Sequence, residues 1–302
     1  MKNKVLLFSV IALSFFSCKK RGCTDPIADN YSTEAEVDDG TCSYNNSSEN
    51  HPIVQLNTNH LFDALSFSFD SIYQDDFGNN IQFSRALFYF GNPKFKNTSN
   101  STVDSSRNYT LINPLESSYA FDTLQDGNYN ELDVLIGIDA YTNHQDPAIY
   151  PSSNDLSYQS PSMHWQMGTS PQNWSYLFIV LEGYVDMDGN NSFDAGETFI
   201  FHIGDDENVS QINNLNINLE TNSNELVNLN INVDWSEFIS GIDLSVDNFA
   251  HSGTVSSTIS GNTDITKGAQ AKGGTGLYNS INGSKNPLAN LLSPINNPKG
   301  TP

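Results

Sequence analysis

The stretch YLFIVLEGYVDMDGNNSFDAGETFIFHIG, residues 176–204, places two apolar segments on either side of an acidic loop. Residues 176–185 and 198–204 are rich in aromatic and β-branched side chains that follow the two-residue period of a β-strand. The Asp, Asn, Ser and Gly residues between them are turn formers. The stretch therefore predicts a β-hairpin closed by an acidic loop.

The same two-residue period recurs between about residues 52 and 249. It is found in the segments 64–73, 81–90, 131–141, 214–220 and 226–235. Clusters of Gly, Asn, Asp and Pro separate these segments, and aromatic and β-branched residues are plentiful. The pattern predicts an all-β fold, specifically an antiparallel β-sandwich of Greek-key-like type.

The N-terminal residues 1–17 have the pattern of an export signal. Lys2 and Lys4 precede an apolar run that is too short to span a bilayer. The residues before Cys18 resemble a bacterial lipobox, which implies cleavage at this point and lipid attachment to the thiol. An ordinary signal peptide with an unmodified Cys18 is the alternative. The expected location is the cell envelope, with the protein lipid-anchored in the outer membrane and facing the periplasm or the cell surface.

Two further segments flank the predicted sandwich domain, residues 51–249. Residues 18–50 contain the anchor and a short acidic module bounded by Cys23 and Cys42, which resembles a repeat of secreted bacterial proteins. Two remaining cysteines in an oxidising compartment predict a disulfide. Residues 250–302 are rich in Gly, Ser, Asn and Pro, so we expect a disordered tail.

Charge and motif content exclude several classes of function. The net charge of -22 and the pI near 4.3 argue against binding to nucleic acid, because the chain cannot neutralise a phosphate backbone. The same charge attracts cations, although solubility is the more ordinary reason for it. The sequence lacks the nucleophile elbow, the zinc-protease helix motif, the phosphate-binding loop and the dinucleotide fingerprint. We therefore predict a protein that is not an enzyme.

The hairpin loop has the ligand spacing of a calcium site. Oxygen-bearing residues stand at positions 1, 3, 5, 7, 9 and 12 of an EF-hand-type loop: Asp186, Asp188, Asn190, Ser192, Asp194 and Glu197. Position 6, normally Gly, is Asn191, and Asn is the next most tolerant residue of a left-handed backbone. The sequence predicts a calcium ion that rigidifies the turn; an acidic loop that binds no ion tightly is the alternative.

Six histidines are available as nitrogen ligands. His202 lies in the second strand of the hairpin, on the face shared by Ile200 and Gly204. His60 is expected just ahead of the first strand of the predicted domain. Two imidazoles from distant positions suit copper or zinc, although a single histidine is more often a surface or hydrogen-bonded residue.

Five short motifs occur in a recognisable order. They are His60, ALFYFGNPKF (86–95), IGIDAYTNHQDPA (136–148), SMHWQMGTSPQNWSYLFIVLEG (162–183) and FIFHIG (199–204). This order resembles the MbnP-like family of periplasmic copper-binding proteins, which are encoded near methanobactin genes and are widely found as lipoproteins. The resemblance spans roughly residues 53–240.

The resemblance implies a β-sandwich that binds one copper ion through His60 and His202. In some members a tryptophan oxidised to kynurenine assists, and a partner dihaem peroxidase-like enzyme makes it. Here Thr58 stands where some members place that tryptophan, and we interpret Trp165 and Trp174 as core residues.

The leading hypothesis is thus a copper-binding lipoprotein for acquisition, storage or delivery of copper. The alternative is a calcium-stabilised surface adhesion or scaffold module with no transition-metal role.

Overall fold

The computed structural model forms two units, residues 1–49 and 50–302. It describes residues 19–24, 30–32, 34–42, 51–166, 168–222, 225–252 and 292–294. The predicted signal peptide, the predicted lipidation site at Cys18 and most of the predicted tail lie outside the described residues. Within the described residues, no helix is long and apolar enough to cross a membrane.

The N-terminal unit is built around the predicted disulfide. Cys23 and Cys42 are bonded, with their Cα atoms 4.7 Å apart, and Cys23 is buried. Two short strands, β1 (Arg21–Gly22) and β2 (Val37–Asp38), pair in parallel. So short a segment cannot bury a large apolar core, and the cross-link therefore restricts its unfolded ensemble more than packing stabilises its folded state.

The second unit contains the remaining strands of the described residues. They are β3 (Ile53–Phe62), β4 (Leu65–Ser66), β5 (Tyr73–Gln74), β6 (Asn80–Asn97), β7 (Thr102–Ser105), β8 (Tyr109–Ile112), β9 (Ser118–Thr123), β10 (Gly127–Ile136), β11 (His164–Gln166), β12 (Trp174–Val185), β13 (Thr198–Gly204), β14 (Ser210–Thr221), β15 (Leu226–Asp234), β16 (Phe249–Ser252) and β17 (Leu292–Pro294). The short helices are α1 (Ala140–Asn143) and the 3₁₀ helices Pro147–Ile149, Pro171–Asn173, Asp206–Asn208 and Trp235–Phe238.

These strands form two sheets. The large sheet has the order β14-β10-β6-β12-β13-β16, with β5, β7 and β8 also paired to β6, and β11 paired to β12. The small sheet has the order β17-β15-β3-β4, with β9 also paired to β3. Most neighbours are antiparallel, whereas β3–β15 and β13–β16 are parallel. The predicted antiparallel β-sandwich is confirmed, with these two parallel pairs added.

The core lies between the two sheets. Phe88 and Phe90 of β6 are fully buried and contact aromatic side chains from the small-sheet side, with ring centroids 5.5 Å from Trp235 and 5.1 Å from Phe121, respectively. Successive side chains of a strand point to opposite faces. The alternation of burial along β13, β14 and β15 identifies the inner face of each sheet, whereas residues 175–181 of β12, in the middle of the large sheet, are buried on both faces.

Two predictions about the first strands are wrong in detail. Residues 64–73 do not form one strand, because the chain turns back within the segment. The backbone N–H of Ser68 donates a 2.6 Å hydrogen bond to the Tyr73 hydroxyl, and Phe67 stacks on the Tyr73 ring. The first long strand is instead β3, and His60 lies inside it.

Two short pieces of the predicted tail are strands of the sandwich. β16 extends the large sheet beside β13, and β17 pairs with β15 of the small sheet. Both strands lie at sheet edges. The placement of β16 matters for the site described next, because it carries His251.

Candidate metal centre

The predicted hairpin forms, and it places His202 on the outer face of the large sheet. β12 and β13 pair antiparallel, with Val180 opposite His202 and Glu182 opposite Ile200. Phe201 and Ile203, on either side of His202, are buried in the core. The imidazole therefore points away from the sandwich interior.

His251 lies directly beside His202. The parallel pairing of β13 with β16 makes the two histidines Cα partners, and their ring centroids are 5.7 Å apart. With metal–nitrogen bonds of about 2.0 Å and about 1.1 Å from each nitrogen to its ring centroid, two imidazoles on one ion have centroids at most about 6.2 Å apart. The pair is thus within the reach of a single metal ion. Burial and the neighbouring His202 both lower the pKa of His251, which favours the neutral, ligating form.

Trp165 packs against His251. Its ring centroid is 4.2 Å from that of His251. Gly204, two residues after His202 on the same face, makes room for it, because a Cβ there would lie 3.3 Å from the Trp165 ring and 2.4 Å from the Tyr176 carbonyl oxygen. The expectation that Trp165 is a core residue is half correct, since the ring packs on the core cluster but is only partly buried.

A carboxylate and a guanidinium lie beside His202 on the outer face of the large sheet. Glu182 Oε1 lies 2.8 Å from His202 Nε2 and accepts a 3.1 Å hydrogen bond from Arg85 Nη1. Arg85 Nη2 also lies 3.3 Å from the sulfur of Met163, which is fully buried. Met163 is therefore a core residue.

His60 is on the inner face of the small sheet, in a different environment. The Trp235 indole N–H donates a 3.1 Å hydrogen bond to His60 Nδ1. Because an indole N–H can only donate, Nδ1 must be the acceptor, so the ring proton is on Nε2, 3.0 Å from the Glu116 carbonyl oxygen. Burial lowers the pKa of His60. Both ring nitrogens are thus used in holding β3 to its neighbours.

The structure does not bring His60 and His202 together. The His60 ring points from the small sheet toward the core, whereas His202 lies on the far side of the large sheet. The histidine that the fold places beside His202 is His251, which sequence reasoning assigned to the tail. No local pattern signals this pairing, because it depends on which strand occupies the sheet edge.

The acidic loop has a compact, internally bonded form. The Asp186 carboxylate is buried and accepts hydrogen bonds from the backbone N–H groups of Gly189, Asn190 and Asn191. Asn191 has a φ of 63°, the left-handed conformation expected at position 6. Glu197, also buried, accepts from the Met187 and Asp194 N–H groups.

Three of the predicted calcium ligands converge. Oxygens of Asp186, Asp188 and Glu197 all lie within 4.8 Å of one another. Calcium–oxygen bonds of 2.3–2.6 Å allow opposite ligands to be about 5 Å apart, so one ion can reach all three. The side chain of Asn190 instead donates to Asp188 and Asp194, and the Ser192 N–H donates to Asn190 Oδ1. These bonds hold the loop closed.

A family model for MbnP matches residues 51–257, which is most of the chain and includes both His202 and His251. The chain belongs to the MbnP family. Among solved structures, MbnP from Methylosinus trichosporium matches with 12% sequence identity and a TM-score of 0.48, covering 80% of this chain and 97% of that one. No match was found among curated proteins.

The NHQDPA motif of this MbnP-family chain, residues 143–148, has a structural role. Asn143 is fully buried, and its side-chain oxygen accepts a 2.8 Å hydrogen bond from the Tyr176 N–H. His144 Nε2 lies 3.0 Å from Asp206 Oδ2. Burial alone would lower the pKa of His144, but the Asp206 carboxylate and the Trp174 carbonyl raise it above its ordinary value. The motif therefore ties α1 to the ends of β12 and β13.

His164 is the anomalous histidine. It is buried between the rings of Trp174 and Tyr176, and neither ring nitrogen has a partner with hydrogen-bond geometry. Burial lowers its pKa to about 4, although the Asp146 carboxylate and the Gln145 backbone oppose the shift. It therefore stays neutral, at the cost of two unsatisfied nitrogens.

Proposed function

We propose that the protein is a copper-binding lipoprotein of the cell envelope and that His202 and His251 hold the metal. The observation that carries the proposal is the cross-strand pairing of these histidines on an accessible face. Imidazole suits copper, and among divalent first-row ions Cu²⁺ binds nitrogen sites most tightly. Membership of the MbnP family favours copper over zinc. His60 is left in a structural role, because both of its nitrogens are hydrogen-bonded.

The test of this proposal is a metal-retention experiment. Purified protein is exposed to copper, zinc and calcium together, gel-filtered and analysed for its elements. We expect about one copper per chain, lost in His202→Ala and in His251→Ala. His60→Ala and the control His144→Ala should retain it, provided that circular dichroism shows them folded.

The opposite pattern of copper retention would support the ligand pair that the family resemblance implies. If folded His60→Ala loses copper while His251→Ala keeps it, the ligands are His60 and His202. If the unaltered protein retains no copper, the alternative of a calcium-stabilised adhesion or scaffold module leads.

A partner and a location follow from the same proposal. The lipid anchor at Cys18 would attach the domain to the outer membrane, facing the periplasm or the cell surface, where copper acquisition, storage or delivery takes place. The family resemblance implies a dihaem peroxidase-like partner that oxidises a tryptophan. Trp165 is the tryptophan that the geometry offers for this step, because it packs against His251.

The acidic hairpin loop is proposed to bind calcium as a structural ion. This is supported by the convergence of Asp186, Asp188 and Glu197 and by the left-handed Asn191. Extracellular calcium modules have Kd values of about 10⁻⁴–10⁻³ M. At about 5 mM calcium, such a site would stabilise the folded state by about 1–2 kcal/mol.

Calcium dependence is checked by thermal and urea unfolding with and without chelator. The stabilisation should vanish in Asp188→Ala, whose carboxylate is exposed and whose loss leaves the core intact. Glu220→Ala, an exposed carboxylate on β14, is the matched control and should keep the full effect. An equal calcium response in Asp188→Ala and in the control would rule out this site.

A further inference from the structure

The side chains of Arg85, Glu182 and His202 form a connected row on the outer face of the large sheet. Arg85 of β6, Glu182 of β12 and Ile200 of β13 are opposite one another in register, so His202, two residues beyond Ile200, is the diagonal neighbour of Glu182. A single oxygen, Glu182 Oε1, lies 3.1 Å from Arg85 Nη1 and 2.8 Å from His202 Nε2. The row therefore connects three neighbouring strands.

The chemistry of the row determines where the His202 proton is. An ionised carboxylate only accepts hydrogen bonds, so the nitrogen facing Glu182 must carry the N–H. A neutral His202 then has its proton on Nε2 and its lone pair on Nδ1. Metal-binding histidines commonly use this arrangement, in which one ring nitrogen donates to a carboxylate and the other binds the ion.

Arg85 holds the Glu182 carboxylate in the position that faces His202 Nε2. Its side chain is largely buried, and Nη2 lies 3.4 Å from the carbonyl oxygens of both Pro161 and Ser162, in addition to its contact with Met163. These residues directly precede β11, the strand that carries Trp165. The guanidinium thus ties the orientation of Glu182 to the segment that packs on His251.

We propose that Glu182, anchored by Arg85, is the positioning residue that holds His202 as its Nε2–H tautomer and thereby makes Nδ1 the metal-binding atom. The choice of the metal-binding atom rests on the proposed copper function. The tautomer itself is a property of the metal-free protein. The competing explanation is that Glu182 only neutralises the buried Arg85 charge, in which case the tautomer of His202 would not depend on it.

The tautomer of His202 and the affinity for copper are measured in separate experiments. Long-range ¹H–¹⁵N correlation NMR of the metal-free full chain reports which nitrogen of His202 is protonated, with assignment from the signal lost in His202→Gln. We expect the Nε2–H form in the unaltered protein and a mixture in Glu182→Ala. Glu182→Gln should largely restore the Nε2–H form, because its amide oxygen can occupy the position of Oε1.

Copper affinity, measured by competition with a chelator, should follow the tautomer. Loss of a partner that orients a metal ligand typically lowers affinity 10–100-fold, so we expect about that loss in Glu182→Ala and a smaller loss in Glu182→Gln. Glu131→Gln is the matched control, because Glu131 is paired with Lys96 elsewhere on the same sheet. It should change neither quantity.

A second variant guards against misfolding caused by an unpaired Arg85. The double change Arg85→Leu with Glu182→Leu removes both charges together, which a partly buried pair commonly tolerates. It should also give the mixed tautomer. A pure Nε2–H signal in this double variant or in Glu182→Ala would overturn the proposal. If the unaltered protein binds no copper but its tautomer shifts as expected, the positioning stands and the copper function fails.

Discussion

Replacing His164 with Phe is expected to stabilise the protein at acid pH by about 3 kcal/mol more than at pH 8. The folded-state pKa of His164 is about 4, whereas an unfolded histidine has a pKa near 6.5. A histidine whose pKa is lowered in the folded state reduces the free energy of unfolding as the pH falls from about 6.5 toward 4, because the unfolded state binds the proton first. Phenylalanine removes this cost, and it keeps the edge-to-face contacts with Trp174 and Tyr176.

The measurement is urea unfolding of both proteins between pH 4 and pH 8, compared as a difference so that other titrating groups cancel. His144→Gln is a control of opposite sign. Because the pKa of His144 is raised, the stability it adds is present below about pH 6.5 and is lost as the pH rises through the folded-state pKa. If the difference for His164→Phe does not depend on pH, His164 is not held neutral in the folded state.

Replacing Trp235 with Ala is expected to lower the free energy of unfolding by about 3–5 kcal/mol, the range typical of a buried large aromatic residue. Trp235 is fully buried and contacts Phe67, Phe88 and Phe238. It also supplies the hydrogen bond that holds His60 in one tautomer. Its loss therefore opens a cavity between the sheets and leaves His60 Nδ1 without its donor.

Urea unfolding checks this effect, with Trp235→Phe as the more conservative comparison. Phenylalanine fills most of the cavity but cannot donate the hydrogen bond, so it should cost less than Ala. Leu115→Ala, at a position that is 77% exposed, should change stability by less than about 0.5 kcal/mol. If Trp235→Ala costs no more than Leu115→Ala, the proposed packing of the core is wrong.

Much of the site's surroundings could be predicted from local sequence. The hairpin of β12 and β13, its acidic loop and the left-handed Asn191 follow from alternation, turn chemistry and ligand spacing, all of which act over a few residues. The disulfide between Cys23 and Cys42 followed from cysteine number and compartment. The error at residues 64–73 has a tertiary cause, since Phe67 packs on Phe83 and Trp235, far from it in the chain, in a segment whose alternation alone predicts a strand.

The sequence by itself determined the fold class, the family and the face on which His202 lies, because a two-residue period specifies the direction of every side chain in a strand. It could not determine which strand would lie beside β13. Only the tertiary structure decided that β16, 45 residues after the end of β13 in the chain, pairs with it in parallel and brings His251 to His202. It likewise decided that His60 faces Trp235 in the core, because burial and hydrogen bonding between sheets depend on long-range packing that no local pattern records.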